Sequence, residues 1–153
     1  MACNNNGQTY LNSLVPVAGS TAADATYVFN LTHFTCGNRK VCVNGAFPIT
    51  ANLAYQVQRI YSVGNEAYNA DILVSGIVTY MPHRTGGNYN GCNCAPCPIT
   101  ENIWTVLSVP VSAATGPTIT AGVCQCSPTN VSDCCNITNA ISITSSFNVA
   151  AGA

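Results

Sequence analysis

From residue 26 onward, most of the apolar side chains fall in runs that recur at every second position, and this period restricts the chain to β-strands more tightly than any other feature. Tyr27, Phe29, Leu31 and His33 alternate with Val28, Asn30, Thr32 and Phe34. Lys40-Val41-Cys42-Val43 reads as a short strand closed by the turn dipeptide Asn44-Gly45. Leu53, Tyr55, Val57, Arg59, Tyr61 and Val63 fall on one face of a long strand, opposite Ala54, Gln56, Gln58, Ile60 and Ser62. Ile72, Val74, Gly76, Val78 and Tyr80 alternate with Leu73, Ser75, Ile77, Thr79 and Met81, so both faces of that strand are expected to be covered. Ile103, Thr105, Leu107 and Val109 lie opposite Trp104, Val106 and Ser108. Residues 118–126 form a further strand, and Ile141, Ile143, Ser145, Phe147 and Val149 mark the last. β-branched residues are frequent and good helix formers rarely cluster; a single helix-like turn is expected near Glu66 to Ala70.

Roughly seven or eight short strands between Gly, Pro and Asn turns predict a sandwich or barrel. The expected fold is all-β: a single jelly-roll-like β-sandwich over residues 26–153, preceded by an extended N-terminal arm over residues 1–25. Its core candidates are Tyr55, Val57, Ile72, Val74, Val78, Trp104, Val106, Ile141, Ile143 and Phe147, with Trp104 placed between the sheets. The arm is small and polar apart from the apolar island Leu14, Val15, Pro16 and Val17. The longest non-strand insert runs from Pro82 to Pro98 and holds a Gly- and Asn-rich loop.

Charge decides which partners such a fold could serve. Only four residues are Lys or Arg and five Asp or Glu, for a net charge of -1. With no basic patch to neutralise phosphates, nucleic acid is excluded as a partner. No run of about 18 apolar residues exists, so no membrane-spanning helix is expected. Charge repulsion does little to keep such molecules apart, which suits a subunit that packs against copies of itself.

Ten cysteines set the redox context: Cys3, Cys36, Cys42, Cys92, Cys94, Cys97, Cys124, Cys126, Cys134 and Cys135. The count points to disulfides in an oxidising final environment, or to bound metal. Cys94-x2-Cys97 is a zinc-type spacing, but no second such pair accompanies it, so disulfides or crosslinks are expected and neither a metal nor a cofactor. Cys94-Ala95-Pro96-Cys97 also has a redox spacing, without the following helix that would lower the first thiol's pKa. The adjacent Cys134 and Cys135 are expected to take different partners. The N-terminus lacks the basic and apolar regions of a signal peptide, so either a signal has been removed or the protein leaves its cell without one; an extracellular, spore-surface or cell-surface location is expected.

Enzymatic signals are thin. His33 reads as an ordinary strand side chain and His83 as a loop residue. The acids are scattered, and no nucleophile elbow, phosphate loop or zinc-protease motif occurs, so no catalytic residue is expected.

The cysteine-tipped N-terminal segment, the jelly-roll-like β domain, the many cysteines and the missing signal peptide together resemble the subunits of bacterial endospore appendages, disulfide-crosslinked fibres on spore surfaces. The resemblance lies in overall layout. It implies a self-assembling structural subunit in which Cys3 of the arm meets a cysteine of a neighbouring domain. It departs from the family in having one arm cysteine instead of an adjacent pair, and in the Cys92–Cys97 cluster. The arm is expected to dock on a neighbouring copy, because its apolar island is too short for a core but suits an exposed sheet edge. Two other functions compete. One is a secreted binding module using the 82–98 loop through Asn88, Tyr89 and Asn90. The other is a viral surface or capsid-like subunit, which a jelly roll permits.

Overall fold

The computed structural model describes residues 7–36, 39–42, 48–82, 98–112, 116–128 and 137–150. Among these residues there are nine strands and no α-helix: β1 (Thr9–Pro16), β2 (Asp24–Phe34), β3 (Val41–Cys42), β4 (Thr50–Gly64), β5 (Ala67–Tyr80), β6 (Ile99–Val111), β7 (Thr118–Pro128), β8 (Ile137–Thr138) and β9 (Ala140–Ala150). No helix of the described residues is long and apolar enough to cross a membrane. A four-stranded sheet has the order β1-β2-β9-β7 and a three-stranded sheet the order β4-β5-β6; β3 and β8 form a small third ladder. All pairings are antiparallel.

The two large sheets pack face to face because each strand places its apolar set on one side. The four-stranded sheet turns Ala25, Tyr27, Phe29 and Leu31 of β2, and Ile141, Ile143, Phe147 and Val149 of β9, inward. The opposing sheet contributes Ala70, Ile72, Val74 and Val78 of β5, and Ile103, Leu107 and Val109 of β6. An aromatic cluster ties the layers: the Tyr55 ring lies 6.3 Å from Phe29 and 5.3 Å from Phe147, and Phe147 stacks on Tyr27 at 5.4 Å. Cutting Phe29 or Phe147 back to alanine would cost about 3–5 kcal/mol at such a site.

With so few charges, the outer face of the four-stranded sheet is covered by a hydrogen-bonded ladder of neutral side chains. Asn12 Nδ2 donates to Asn30 Oδ1 at 2.6 Å and to Thr32 Oγ1 at 2.5 Å. Asn30 Nδ2 donates onward to Ser142 and Thr144, each at 2.9 Å.

Local backbone chemistry sets the β4–β5 hairpin. Asn65 and Glu66 both have positive φ, 52° and 60°, the conformation that a tight two-residue turn needs at its central positions. The helix-like turn expected at Glu66–Ala70 is therefore a hairpin turn running into β5. Farther along, a Cβ on Gly76 would stand 1.8 Å from the Asn52 carbonyl oxygen, so β4 and β5 approach too closely there for any side chain.

Several expectations are corrected. Trp104 is not between the sheets: it is 63% exposed, and Val106 beside it is 46% exposed, both on the outer face of β6. Both alternating sets of β6 contain large apolar residues, and the set with Ile103, Leu107, Val109 and Val111 is the one buried. In β4 a bulge between Val57 and Arg59 shifts the register. Ile60 then packs on the core, while Arg59 turns outward, 4.5 Å above the Tyr61 ring and 2.8 Å from Asp71. Within the segment expected as an extended arm, Thr9–Pro16 is an edge strand of its own chain: β1 pairs with β2 from Thr9↔His33 to Pro16↔Tyr27, and Leu14 packs on the core. A jelly roll moves the chain repeatedly between its sheets. Here the chain crosses between the two large sheets only after β2 and after β6, and β4, β5 and β6 form a simple meander.

Candidate functional site

Among the described residues no strand ladder joins the two large sheets at their margins, which leaves two seams. One seam runs between β1 and β6, the other between β4 and β7, and each holds a cavity.

At the β1–β6 seam the chain buries polar groups. His33 continues the inward row of β2 after Leu31, and Glu101 precedes Ile103 in the inward row of β6. His33 is fully buried and the Glu101 side chain is 10% exposed, so both need partners. His33 Nε2 donates to Glu101 Oε1 at 2.7 Å, and its Nδ1 meets Thr9 Oγ1 of β1 at 3.0 Å. Glu101 also accepts hydrogen bonds from the Tyr80 hydroxyl of β5 and the Cys36 backbone N–H, the latter at 3.1 Å to Oε1. Arg39 stands 3.6 Å from Glu101 Oε2. Burial alone pushes the Glu101 carboxyl upward, but the hydrogen bonds from His33, Tyr80 and Cys36 outweigh it and hold it below the usual carboxylate range. Burial, then the bond to Glu101, push the Tyr80 hydroxyl up.

Hydroxyl, imidazole and carboxylate in series are the components of a nucleophile triad. Here, however, the carboxylate also holds Tyr80 and Cys36, and the ring has no exposed edge. The network ties β1, β2, β5 and β6 together across the sheets. A cavity of about 450 Å³ opens beside it, lined by Gly7, Gln8, Thr9, Asn102, Trp104 and Thr105.

The β4–β7 seam carries the reactive chemistry. A bulge between Ala121 and Cys124 resets β7, after which Cys124 and Cys126 point inward and pack on the core margin. Both are free thiols. Cys124 lines a cavity of about 270 Å³ with Ala51, Asn52, Leu53, Tyr55, Ala121, Gly122 and Ser145. A hydrogen bond from Cys126 lowers the Cys124 pKa to about 7; burial opposes this and Ser145 adds to it. The same bond, together with burial, pushes the Cys126 thiol up. Buried Ser145 donates to the Val123 carbonyl at 3.2 Å and lies 3.4 Å from the Tyr55 hydroxyl. The site therefore offers a thiol whose pKa is lowered, a second thiol on the same face of β7, and two hydroxyls.

The remaining expected residues divide by position. Leu14, Val15 and Pro16 lie in β1, and Val17 follows it. Cys36 and Cys42 are disulfide-bonded. Cys3, His83, Asn88, Tyr89, Asn90, Cys92, Cys94, Cys97, Cys134 and Cys135 lie outside the described residues. Among the described residues no group of three or more His, Cys, Asp or Glu could hold a metal ion.

Sequence reasoning missed the Glu101 network, treating the acids as scattered and His33 as ordinary. The signal was present: a His and a Glu each occupy an inward register position of an apolar strand. No family model, curated protein or solved structure matches the chain.

Proposed function

We propose that this chain is a self-assembling structural subunit of a disulfide-stabilised fibre, outside the cytoplasm or on a spore surface. The observation that carries the reading is the chemistry of the sheet edges. Edge strands usually carry charges that block pairing with another chain. β1 and β7, the edges of the four-stranded sheet, contain no charged residue, and they expose Leu11, Val15 and Val123, the last at 74%. On the opposite sheet, edge strand β6 has Glu101 as its one charge, and that carboxylate is turned into the buried network. β1 and β7 keep one bulge each, with Pro16 and Pro128 at their ends, whereas the remaining edge strand, β4, carries the exposed Arg59 and two bulges.

In this reading the partners are copies of the chain. The N-terminal segment is the assembling element: β1 pairs with its own β2 in the isolated subunit and with a neighbour's edge in the assembly, and Cys3 forms an interchain disulfide. Exchange of an identical element needs few new contacts, and head-to-tail donation gives a fibre rather than a closed dimer.

The test is size by light scattering and negative-stain electron microscopy, with and without reductant. Wild type is expected to form linear assemblies, and Val15→Lys with Val123→Lys to stay monomeric with an unchanged far-UV spectrum. A wild-type chain that stays monomeric in both conditions overturns the proposal.

A further inference from the structure

The geometry points to a second property: Cys124 is a thiol–disulfide exchange site that captures a disulfide from outside the chain, and Cys126 is its positioning residue. The site stands whether or not the chain polymerises.

Three observations meet at Cys124. Cys124 lines a cavity of about 270 Å³ at the seam, through which a disulfide can approach it. The cavity wall supplies buried Ser145 and the Tyr55 hydroxyl, which are polar groups beside the place where charge moves. A second free thiol, Cys126, stands two residues on and on the same face of β7. A thiolate attacks; a thiol does not. Cys124 lines the cavity and Cys126 stands behind it on the same face of β7, so the two sulfurs have different roles.

The step balances as an exchange. The Cys124 thiolate attacks one sulfur of an external disulfide. A bond forms from Cys124 Sγ to that sulfur, the external S–S bond breaks, and the other half leaves as a thiolate that takes a proton from solvent. Cys124 is oxidised to a mixed disulfide and the departing half is reduced.

Cys126 does not readily complete a second exchange. Strand residues i and i+2 sit roughly 6.7 Å apart at Cα, given a rise of about 3.3–3.4 Å per residue. Disulfides usually span about 4.4–6.8 Å, with Cβ atoms about 3.8 Å apart, whereas these Cβ vectors are parallel. The mixed disulfide on Cys124 therefore persists.

Glutathione disulfide is the probe, applied to the reduced chain, with peptide mapping by mass spectrometry across pH 5.5 to about 9. The expected result is a glutathionyl group on the Cys124 peptide, forming at a rate that rises with pH through a midpoint near 7. Cys126→Ala moves that midpoint up toward the free-thiol value of about 8.5. At pH 7 the thiolate fraction then falls about 16-fold, and the greater nucleophilicity of a more basic thiolate recovers roughly 5-fold, leaving capture roughly 3-fold slower. Cys126→Ser, which restores a hydrogen-bond donor, brings the midpoint back below that of the alanine variant. A fold change in the alanine variant would appear in its far-UV spectrum, and the serine variant then carries the comparison.

A second arm mixes reduced chain with isotope-labelled, air-oxidised copies and no small disulfide. A crosslink joining Cys124 to a labelled peptide identifies a neighbouring copy as the donor, and capture of glutathione alone identifies a small disulfide. An adduct on Cys126 instead, an internal Cys124–Cys126 disulfide as the main product, or no adduct on either residue overturns the proposal.

Discussion

Removing the Glu101 carboxylate is the sharpest test of how the sheets are held together. Glu101→Ala leaves the His33 Nε2–H, the Tyr80 hydroxyl and the Cys36 N–H without their acceptor. An unsatisfied buried donor costs about 1–3 kcal/mol, and a hydrogen bond to a charged group is worth more than a neutral one. The Glu101 side chain is 10% exposed and a cavity adjoins it, so water can reach part of the network. The loss is therefore set at about 3–5 kcal/mol, not the sum of three separate penalties. For a chain of this length each kcal/mol lowers Tm by about 2–4 °C, so Tm should fall by about 6–20 °C. Glu101→Gln keeps one acceptor oxygen and should lose about 1–3 kcal/mol. The folded-state pKa of Glu101 is lowered, so its contribution is fully present above the unfolded value of about 4.3 and disappears as pH falls through the lower folded value. The assay is thermal unfolding followed by circular dichroism from pH 7 down to about 2, with Glu101→Gln expected to flatten the acid limb. A Glu101→Ala variant that unfolds within about 2 °C of wild type, or an unchanged acid limb in Glu101→Gln, would show that the network does not hold the sheets.

Three further substitutions test separate parts of the fold. Thr9→Val keeps the shape of β1 but removes the hydroxyl partner of His33, and should cost about 1–3 kcal/mol in chemical denaturation; a neutral result would place β1 outside the network. Gly76→Ala forces a Cβ against the Asn52 carbonyl, and should cost about 3 kcal/mol or prevent folding, read as loss of soluble protein or a lower denaturant midpoint. Trp104→Ser should change stability by no more than about 0.5 kcal/mol, with solvent-exposed tryptophan emission in the wild type, whereas a buried tryptophan would cost about 3 kcal/mol or more.

Much of the fold was legible because a strand writes its burial into alternate residues. Ile72, Val74, Val78, Ile141, Ile143 and Phe147 were identified as core by parity alone, and all are buried. Tyr55 and Val57 pack against that core. Parity failed where it was ambiguous. In β6 both sets contain bulky apolar residues, so nothing local distinguishes Trp104 from Ile103. It failed again at the bulge after Val57, because one extra residue reverses the faces and no residue there announces it.

What the chain alone determined was its class: period-two patterning, turn residues and the shortage of helix formers leave little but packed antiparallel sheets. Few charges and many cysteines were likewise plain. Only the tertiary structure decided that Leu14 lies in an edge strand on its own chain, since an apolar island of that length suits a cis or a trans edge equally. Only the tertiary structure brought His33 to Glu101, 68 residues away, and set Cys124 beside Ser145 and Tyr55 at an open seam. Alternation is a local property of the backbone and survives in the sequence. Contacts between sheets depend on how strands are ordered and registered across the whole molecule, and that information is spread over residues far apart in the chain.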